Sequence, residues 1–391
     1  MSETFELELT AMAYGGRALG RHEGRPIFVP SGLPGERVRV HITQDKRSYA
    51  FAEIEAVVEP SPERVTPRCK HFGVCGGCHW QHIAYDAQLR FKRDVVVEQM
   101  ARIGGIRDAV VHPTIASPDS WKYRSHATFH VTSAGQLGFV GVDDRTVIPI
   151  EECHIIRPEL RGWFEAVKHE EFKPGERVRL QVGSDGEYLV ARSGGANSDP
   201  DDEAELASKE IVHYRIKGHD FQVTGGSFFQ VNLPQAETLV DLVLDRLALQ
   251  GGERVLDLYS GVGLFTAFLA EPARFVTAVE LYAPAVRDAE VNLLGLTNVD
   301  LRVGTIEGAL PRGNADAAVI DPPRAGMKPK ALETVLSRAP RKIVYVSCDP
   351  STLARDAKLL VTGGYRLIDV QPVDMFPQTY HIESVANFVH I

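Results

Sequence analysis

Val255-Leu256-Asp257-Leu258-Tyr259-Ser260-Gly261-Val262-Gly263-Leu264-Phe265 reads as an apolar strand that runs through two glycines into a helix. Glycines at such a turn let a ligand approach the backbone, although a plain tight turn calls for the same residues. The third glycine of the dinucleotide pattern is missing, so a pyrophosphate-binding turn is not indicated. Outward from this point the pattern repeats. Strands are expected at 254–259, 274–280, 315–320 and 342–347 with helical segments between them. Ala236, Leu239, Val240, Val243, Leu244 and Leu247 space a helix over Gln235 to Leu249. Such alternation predicts an α/β, Rossmann-like domain over 226–391, a parallel sheet covered by helices on both faces.

The second strand, Phe275-Val276-Thr277-Ala278-Val279, ends in Glu280, where an acid can bind ribose hydroxyls. The fourth, Ala317-Ala318-Val319-Ile320, ends in Asp321-Pro322-Pro323-Arg324. Glycine turn, acid and Asp-Pro-Pro together resemble a class I methyltransferase domain that uses S-adenosylmethionine. In amino-group methyltransferases an aromatic residue follows Asp-Pro-Pro and stacks on the target base. Arg324 stands there instead, which speaks against that branch.

Cys348 ends the apolar run Val344-Tyr345-Val346-Ser347, the place where open α/β sheets build their sites. By position alone it reads more readily as an inert core thiol. Its surroundings change that reading. Asp321-Pro-Pro-Arg-Ala-Gly326 followed by Ile343-Val-Tyr-Val-Ser-Cys-Asp-Pro-Ser-Thr352 resembles the first signature of the RNA uracil-C5 methyltransferase family. Asp374-Met-Phe-Pro-Gln-Thr-Tyr-His-Ile-Glu383 resembles the second. The chemistry has a clear minimum. C5 of uracil is a poor nucleophile until a thiolate adds to C6, and a base must later take the C5 proton. The resemblance implies Cys348 as nucleophile, Glu383 as base, and Gln230, Tyr259, Glu280 and Asp321 as cofactor-binding residues. The segment Ser227-Phe228-Phe229-Gln230-Val231-Asn232 also resembles the family. One departure is Asp349, where many members carry asparagine. A carboxylate beside the thiol raises its pKa, so the site must offset it locally. His381 reads as orienting the loop rather than as the base. Arg324 and Arg355 suit uracil or phosphate oxygens, or structural pairs. The target base must leave its stack to be reached. Phe228, Phe229 and Tyr123 are candidates to stack on bases, and each also reads as core.

Further upstream, residues 1–58 alternate short β-like runs with glycine turns, as in Phe5–Thr10, Pro26–Pro30 and Arg37–Ile42. This predicts a small antiparallel barrel. Gly15-Gly-Arg, Ile27-Phe-Val-Pro and Leu33-Pro-Gly-Glu36 are similar to the TRAM domain, which implies an OB-like RNA-binding barrel. The middle region, 59–225, is expected to be β-rich after one helix near 84–103. It opens on Cys69-x5-Cys75-Gly-Gly-Cys78, and Cys153 follows. Four thiolates suit zinc or an iron–sulfur cluster. The resemblance to the iron–sulfur branch of the family implies a four-iron four-sulfur cluster on Cys69, Cys75, Cys78 and Cys153. A structural or RNA-positioning role is expected, since methyl transfer needs no redox step.

The chain has 391 residues with 44% hydrophobic and 24% charged side chains, which excludes a disordered or fibrous protein as the dominant description. No apolar run is long enough to span a membrane. The five cysteines and the lack of a secretion signal at Met1–Glu6 point to a reducing cytoplasm rather than a disulfide framework. The net charge of −9 excludes a uniformly basic nucleic-acid binder, but part of the acidic excess is concentrated at Asp199, Asp201, Asp202, Glu203 and Glu205 in a solvated loop. Basic groups at Arg64, Arg68 and Lys70, and at Lys122 and Arg124, are left to meet phosphate. The expected function is methylation of uridine C5 in RNA by a monomer. Ribosomal RNA of the large subunit (23S) is the first substrate expected. The T-loop of transfer RNA is the alternative, and a non-catalytic RNA-binding protein is a third reading.

Overall fold

The computed structural model describes residues 4–193 and 210–391; the acidic stretch at 199–205 lies outside the described residues. The molecule is a mixed α/β protein with a five-stranded barrel at its N-terminus and a mixed sheet at its C-terminus. Strands β1 (Thr4–Met12), β2 (Ala18–His22), β3 (Arg25–Val29), β4 (Arg37–Asp45) and β5 (Ala50–Glu59) close in the order β1-β2-β3-β5-β4. Alternate residues point inward and fill the barrel, with Leu7, Leu9, Ile27, Val29, Val38 and Val40 buried. Closure leaves no unpaired edge.

The middle of the chain contributes helix α1 (Tyr85–Arg102). It then forms a sheet of β6 (His126–Val131), β7 (Leu137–Val140), β8 (Val147–Pro149), β9 (Arg177–Val182) and β10 (Tyr188–Ser193), in the order β10-β9-β6-β7-β8. Helix α2 (Pro158–Val167) buries Leu160, Phe164 and Val167 against this sheet, and Phe164 stacks on Phe129. A hairpin of β11 (Ile211–Ile216) and β12 (His219–Thr224) follows.

The C-terminal part begins with α3 (Leu233–Leu247), β13 (Arg254–Leu258), α4 (Leu264–Leu269), β14 (Phe275–Glu280), α5 (Ala283–Asn292) and β15 (Val299–Val303). It continues through α6 (Ile306–Ala309), β16 (Ala317–Ile320), α7 (Pro329–Leu336), β17 (Lys342–Ser347), α8 (Pro350–Thr362), β18 (Tyr365–Val373) and β19 (Glu383–His390). The sheet order is β15-β14-β13-β16-β17-β19-β18. The four strands expected from the sequence lie at its centre and are parallel. The sheet as a whole departs from the expectation of parallel strands: β19 runs antiparallel to both β17 and β18. The physical reason is the connection between β18 and β19, which holds no helix; a crossover long enough for parallel pairing is not available.

Two apolar layers cover the faces of this sheet, and both recruit residues from the middle of the chain. Val95, Val96 and Met100 of α1 join one; Tyr214 and Phe221 of the β11–β12 hairpin join the other. Residues near Val111 and Ile115 run along β18 as parallel bridges to Val370 and Val373. No helix among the described residues is long and apolar enough to cross a membrane.

Candidate active site and cysteine cavity

The carboxyl ends of the parallel strands meet at the point where the strand order reverses, between β13 and β16. Tyr259 follows β13, Glu280 ends β14, Asp321 follows β16 and Cys348 follows β17. The antiparallel β19 brings its first residue to the same edge. Ser347 pairs with Ser384, so Cys348 and Glu383 stand opposite each other at the strand ends.

The cofactor side of this edge is formed by backbone. Tyr259 and Gly261 have positive φ, at 65° and 54°, and the space a Cβ would occupy at Gly261 is open. At Gly263 a Cβ would press on Leu293 at 3.1 Å. The first glycine therefore leaves room for a ligand and the second allows close packing of strand and helix. The Gly261 amide donates to Glu280 Oε2 at 2.9 Å, and the Leu281 and Tyr282 amides donate to Oε1 at 2.7 Å. Three donors thus fix that carboxylate at the end of its strand. Ser260 Oγ is buried with no hydrogen-bond partner among the described residues. Gln230 is buried in the segment between β12 and α3. That segment is anchored by Asp288 of α5, which accepts from the Thr224 amide at 3.0 Å and from Ser227 Oγ at 2.5 Å. These residues suit a nucleoside-bearing cofactor such as S-adenosylmethionine.

On the other side of the edge, negative groups crowd together. Burial pushes the Cys348 thiol up to about 12, with Glu383 and Asp321 adding to the shift and Arg324 opposing it. Burial, and then Asp321, raises Glu383 well above the carboxylate range. Burial raises Asp321 to about 7, helped by Asp257 and Glu280. Both shifts favour the protonated forms of Cys348 and Glu383 in the free protein. Arg324 is the cation that faces this group, and its Nη2 lies 2.6 Å from His381 Nδ1. Burial and Arg324 lower His381 to about 2, so its neutral ring accepts from the guanidinium. The contact holds the His381 ring beside Arg324.

The loop that ends in Glu383 is clamped from α1. Lys92, fully buried, donates to Asp374 Oδ1 at 2.6 Å and to the Phe376 carbonyl at 3.0 Å. Gln88 accepts from the Gln378 amide at 3.0 Å. Sequence reasoning missed both, because a lysine and a glutamine on a helix read as solvent-facing. A polar residue on the apolar face of α1 was the available signal: Gln88, Lys92, Val95, Val96 and Gln99 share one buried side.

Asp349 is likewise fully engaged. It caps α8, its Oδ1 accepting from the Ser351 and Thr352 amides at 2.8 and 3.0 Å, and Tyr14 Oη donates to Oδ2 at 2.5 Å. Burial acts to raise its carboxyl, but the bonds from Ser351, Tyr14 and Thr352 outweigh it and hold the group below its ordinary value. No sequence signal pointed to Tyr14. Of the three aromatic candidates, Phe229 is buried on Tyr214 and Tyr123 is buried with its hydroxyl on the Pro377 carbonyl, while Phe228 is exposed. Arg355 pairs with Asp356 and bonds the Ala325 and Met327 carbonyls, a structural use. Arg64 and Lys70 pair with Glu36 and Glu151, and Arg68 lies over the Trp121 ring.

Cys69, Cys75, Cys78 and Cys153 line one cavity of 180 Å³, together with His71, Gln81 and Arg124. None of the four forms a disulfide. Among the described residues no group of three His, Cys, Asp or Glu side chains is placed to hold a metal ion. At Gly76 a Cβ would lie 2.8 Å from the Val140 carbonyl, so the loop can take this path only with glycine there. The cavity adjoins the active-site loop: the His79 and Trp80 amides both donate to the Gln378 carbonyl at 3.0 Å.

Residues 2–54 match the TRAM domain and residues 305–389 match the tRNA (Uracil-5-)-methyltransferase family. An uncharacterized RNA methyltransferase of Halalkalibacterium halodurans is 34% identical, with 98% of this chain and 96% of the relative covered. One from Listeria monocytogenes is 35% identical, covering 98% and 97%. The crystal structure of the Pyrococcus abyssi tRNA (uracil-54, C5)-methyltransferase with S-adenosyl-L-homocysteine superposes with a TM-score of 0.73 at 27% identity, over 98% of this chain and 100% of that one. With relatives this similar along nearly its whole length, and with the barrel and the C-terminal signature both matched, the chain belongs to the TRAM-containing RNA uracil-5 methyltransferase family.

Proposed function

We propose that the protein methylates C5 of a uridine in RNA, with Cys348 as nucleophile and Glu383 as base. The observation that carries this reading is the register of β17 and β19, which sets a thiol and a carboxyl opposite each other beside the cofactor edge. Gln230, Tyr259, Glu280 and Asp321 would hold S-adenosylmethionine, which when bound supplies an electrophilic methyl group. With both Cys348 and Glu383 ionised, their protons lost to solvent and Arg324 favouring the anions, Cys348 Sγ forms a bond to C6 of the uracil and the C5–C6 electron pair moves into the enolate, making C5 nucleophilic. Once C5 carries the methyl group, Glu383 takes the C5 proton, the C6–S bond breaks and the thiolate leaves. Arg324 is the one positive side chain among the groups acting on both Cys348 and Glu383, and it favours their anionic forms.

Ribosomal RNA (23S) is the substrate we propose first, on the resemblance of a barrel joined to a four-cysteine set. Transfer RNA is the second reading, favoured by full-length likeness to the tRNA enzyme of Pyrococcus abyssi. Cys69, Cys75, Cys78 and Cys153 are proposed to carry a four-iron four-sulfur cluster that braces the loop at Gln378; the ring of thiols around one cavity supports this. The deciding experiment is methyl transfer from labelled S-adenosylmethionine to unmodified ribosomal and transfer RNA, assayed separately, with the product nucleoside identified. Label as 5-methyluridine in ribosomal RNA alone is the expected result. Label only in transfer RNA overturns the substrate but keeps the chemistry. No label from protein that still binds cofactor overturns the reading.

A further inference from the structure

Tyr14 belongs to the turn between β1 and β2 of the barrel, far in sequence from the nucleophile. The turn is nevertheless docked on the active-site loops. Trp80 Nε1 donates to the Gly16 carbonyl at 3.2 Å, and a Cβ at Gly16 would lie 2.8 Å from the Tyr380 ring. The same turn lets Tyr14 Oη reach Asp349 Oδ2 at 2.5 Å. Asp349 follows Cys348 directly in the chain, and its other oxygen is occupied by the cap of α8. We propose that Tyr14 is a positioning residue for the nucleophile: it occupies the remaining oxygen of Asp349 and keeps that carboxylate from accepting a hydrogen bond from the Cys348 thiol.

The proposal rests on Cys348 being the nucleophile. The charged groups acting on the Cys348 thiol are Glu383 from β19, Asp321 and Arg324 from the segment after β16, and Asp349 from the start of α8. Although adjacent in sequence, Asp349 weighs less on the thiol than Glu383 or Asp321 does. Those acting on Tyr14 are Asp349, Arg324 and Tyr380. Burial and Asp349 raise the Tyr14 hydroxyl, so it remains a donor across the working pH range. Without that hydroxyl, Oδ2 has lost its donor, and the carboxylate that follows Cys348 in the chain is left to accept from the thiol. The thiol then holds its proton more tightly. The barrel is thereby part of the catalytic apparatus as well as a candidate RNA-binding module.

The test uses the full chain and four forms: unaltered, Tyr14→Phe, Asp349→Asn and the double variant. The rate at which iodoacetamide modifies the Cys348 peptide is followed by mass mapping as a function of pH. Tyr14→Phe is expected to slow Cys348 alkylation about tenfold at fixed pH, equivalent to an upward shift of about one pKa unit. Asp349→Asn, which keeps a good helix cap, is expected to be no slower than the unaltered protein. The double variant should return to the Asp349→Asn rate. An unchanged rate in Tyr14→Phe, or a double variant as slow as Tyr14→Phe, overturns the proposal. So does a Tyr14→Phe variant whose RNA affinity falls while alkylation stays the same, since that makes Tyr14 an RNA contact. Undiminished methyl transfer by Cys348→Ala would instead refute the functional reading, and the alkylation readout keeps the two failures apart.

Discussion

Replacing Lys92 with methionine should destabilise the protein and loosen the loop that carries Glu383. Lys92 and Asp374 are both fully buried, and the ammonium sits 2.6 Å from the carboxylate and 3.0 Å from the Phe376 carbonyl. Burial pulls the Lys92 pKa down and Asp374 pushes it back up, so the pair depends on both partners being present. Removing one partner of such a pair leaves an uncompensated buried charge at a cost of about 3–5 kcal/mol. For a domain of this size each kcal/mol lowers Tm by roughly 2–4 °C, so the expected fall is about 6–20 °C. The assay is thermal unfolding followed by circular dichroism, paired with methyl transfer below the transition. A double variant, Lys92→Met with Asp374→Leu, should recover most of the stability, because an apolar pair of similar volume can replace a buried ion pair. It should not recover activity, because the bond from Lys92 to Phe376 that orients the loop is still missing. A single-variant fall under about 3 °C would mean less than roughly 1.5 kcal/mol at this site and refute the premise that the charge is dry. A double variant no more stable than the single one would refute the charge argument as well.

Glu383→Gln should allow Cys348 to add to uracil but block release, leaving a protein–RNA adduct that survives denaturing electrophoresis; absence of the adduct with methyl transfer intact refutes Glu383 as the base. Asp257 is raised to about 7 by burial, against hydrogen bonds from Thr266, so the folded state keeps a proton that the unfolded chain gives up near its ordinary value of 3.8. Its contribution therefore makes stability fall as pH rises from about 4 to 7, and Asp257→Asn should flatten that part of the urea-unfolding profile; an unaltered profile would show that Asp257 is ionised in the fold. Cys75→Ser should cost bound iron and lower the unfolding temperature of the iron-bearing protein; a variant with full activity and no iron rules out a bracing role. RNA affinity should fall with added salt, the expected outcome for a surface on which arginines and lysines neutralise phosphates, and a flat response would assign recognition to uncharged contacts.

The sheet edge that carries the candidate site was legible in the sequence. The run 255–265, the acids at Glu280 and Asp321, and the thiol at Cys348 all sit where short apolar strands end, and strand ends are local features of a sequence. The antiparallel turn of β19 was not legible. Pairing partners depend on which strands can reach each other, and the length of the connection between β18 and β19 constrains that choice without naming the neighbour. Gln88 and Lys92 escaped notice for a related reason. Their polarity argues for solvent, and only the packing of α1 over the loop at 374–380 turns them inward.

The sequence alone determined the element types of the C-terminal part and the glycine turn, because backbone propensity is a property of short segments, and through its resemblance to a family it nominated the reactive groups. The tertiary structure decided which groups meet. It set Glu383 opposite Cys348 through strand register. It brought four cysteines around one cavity and carried Tyr14 from the barrel to Asp349. Each of these joins residues far apart along the chain. Such contacts form only when the buried surfaces between elements fix their relative positions, which no local pattern encodes.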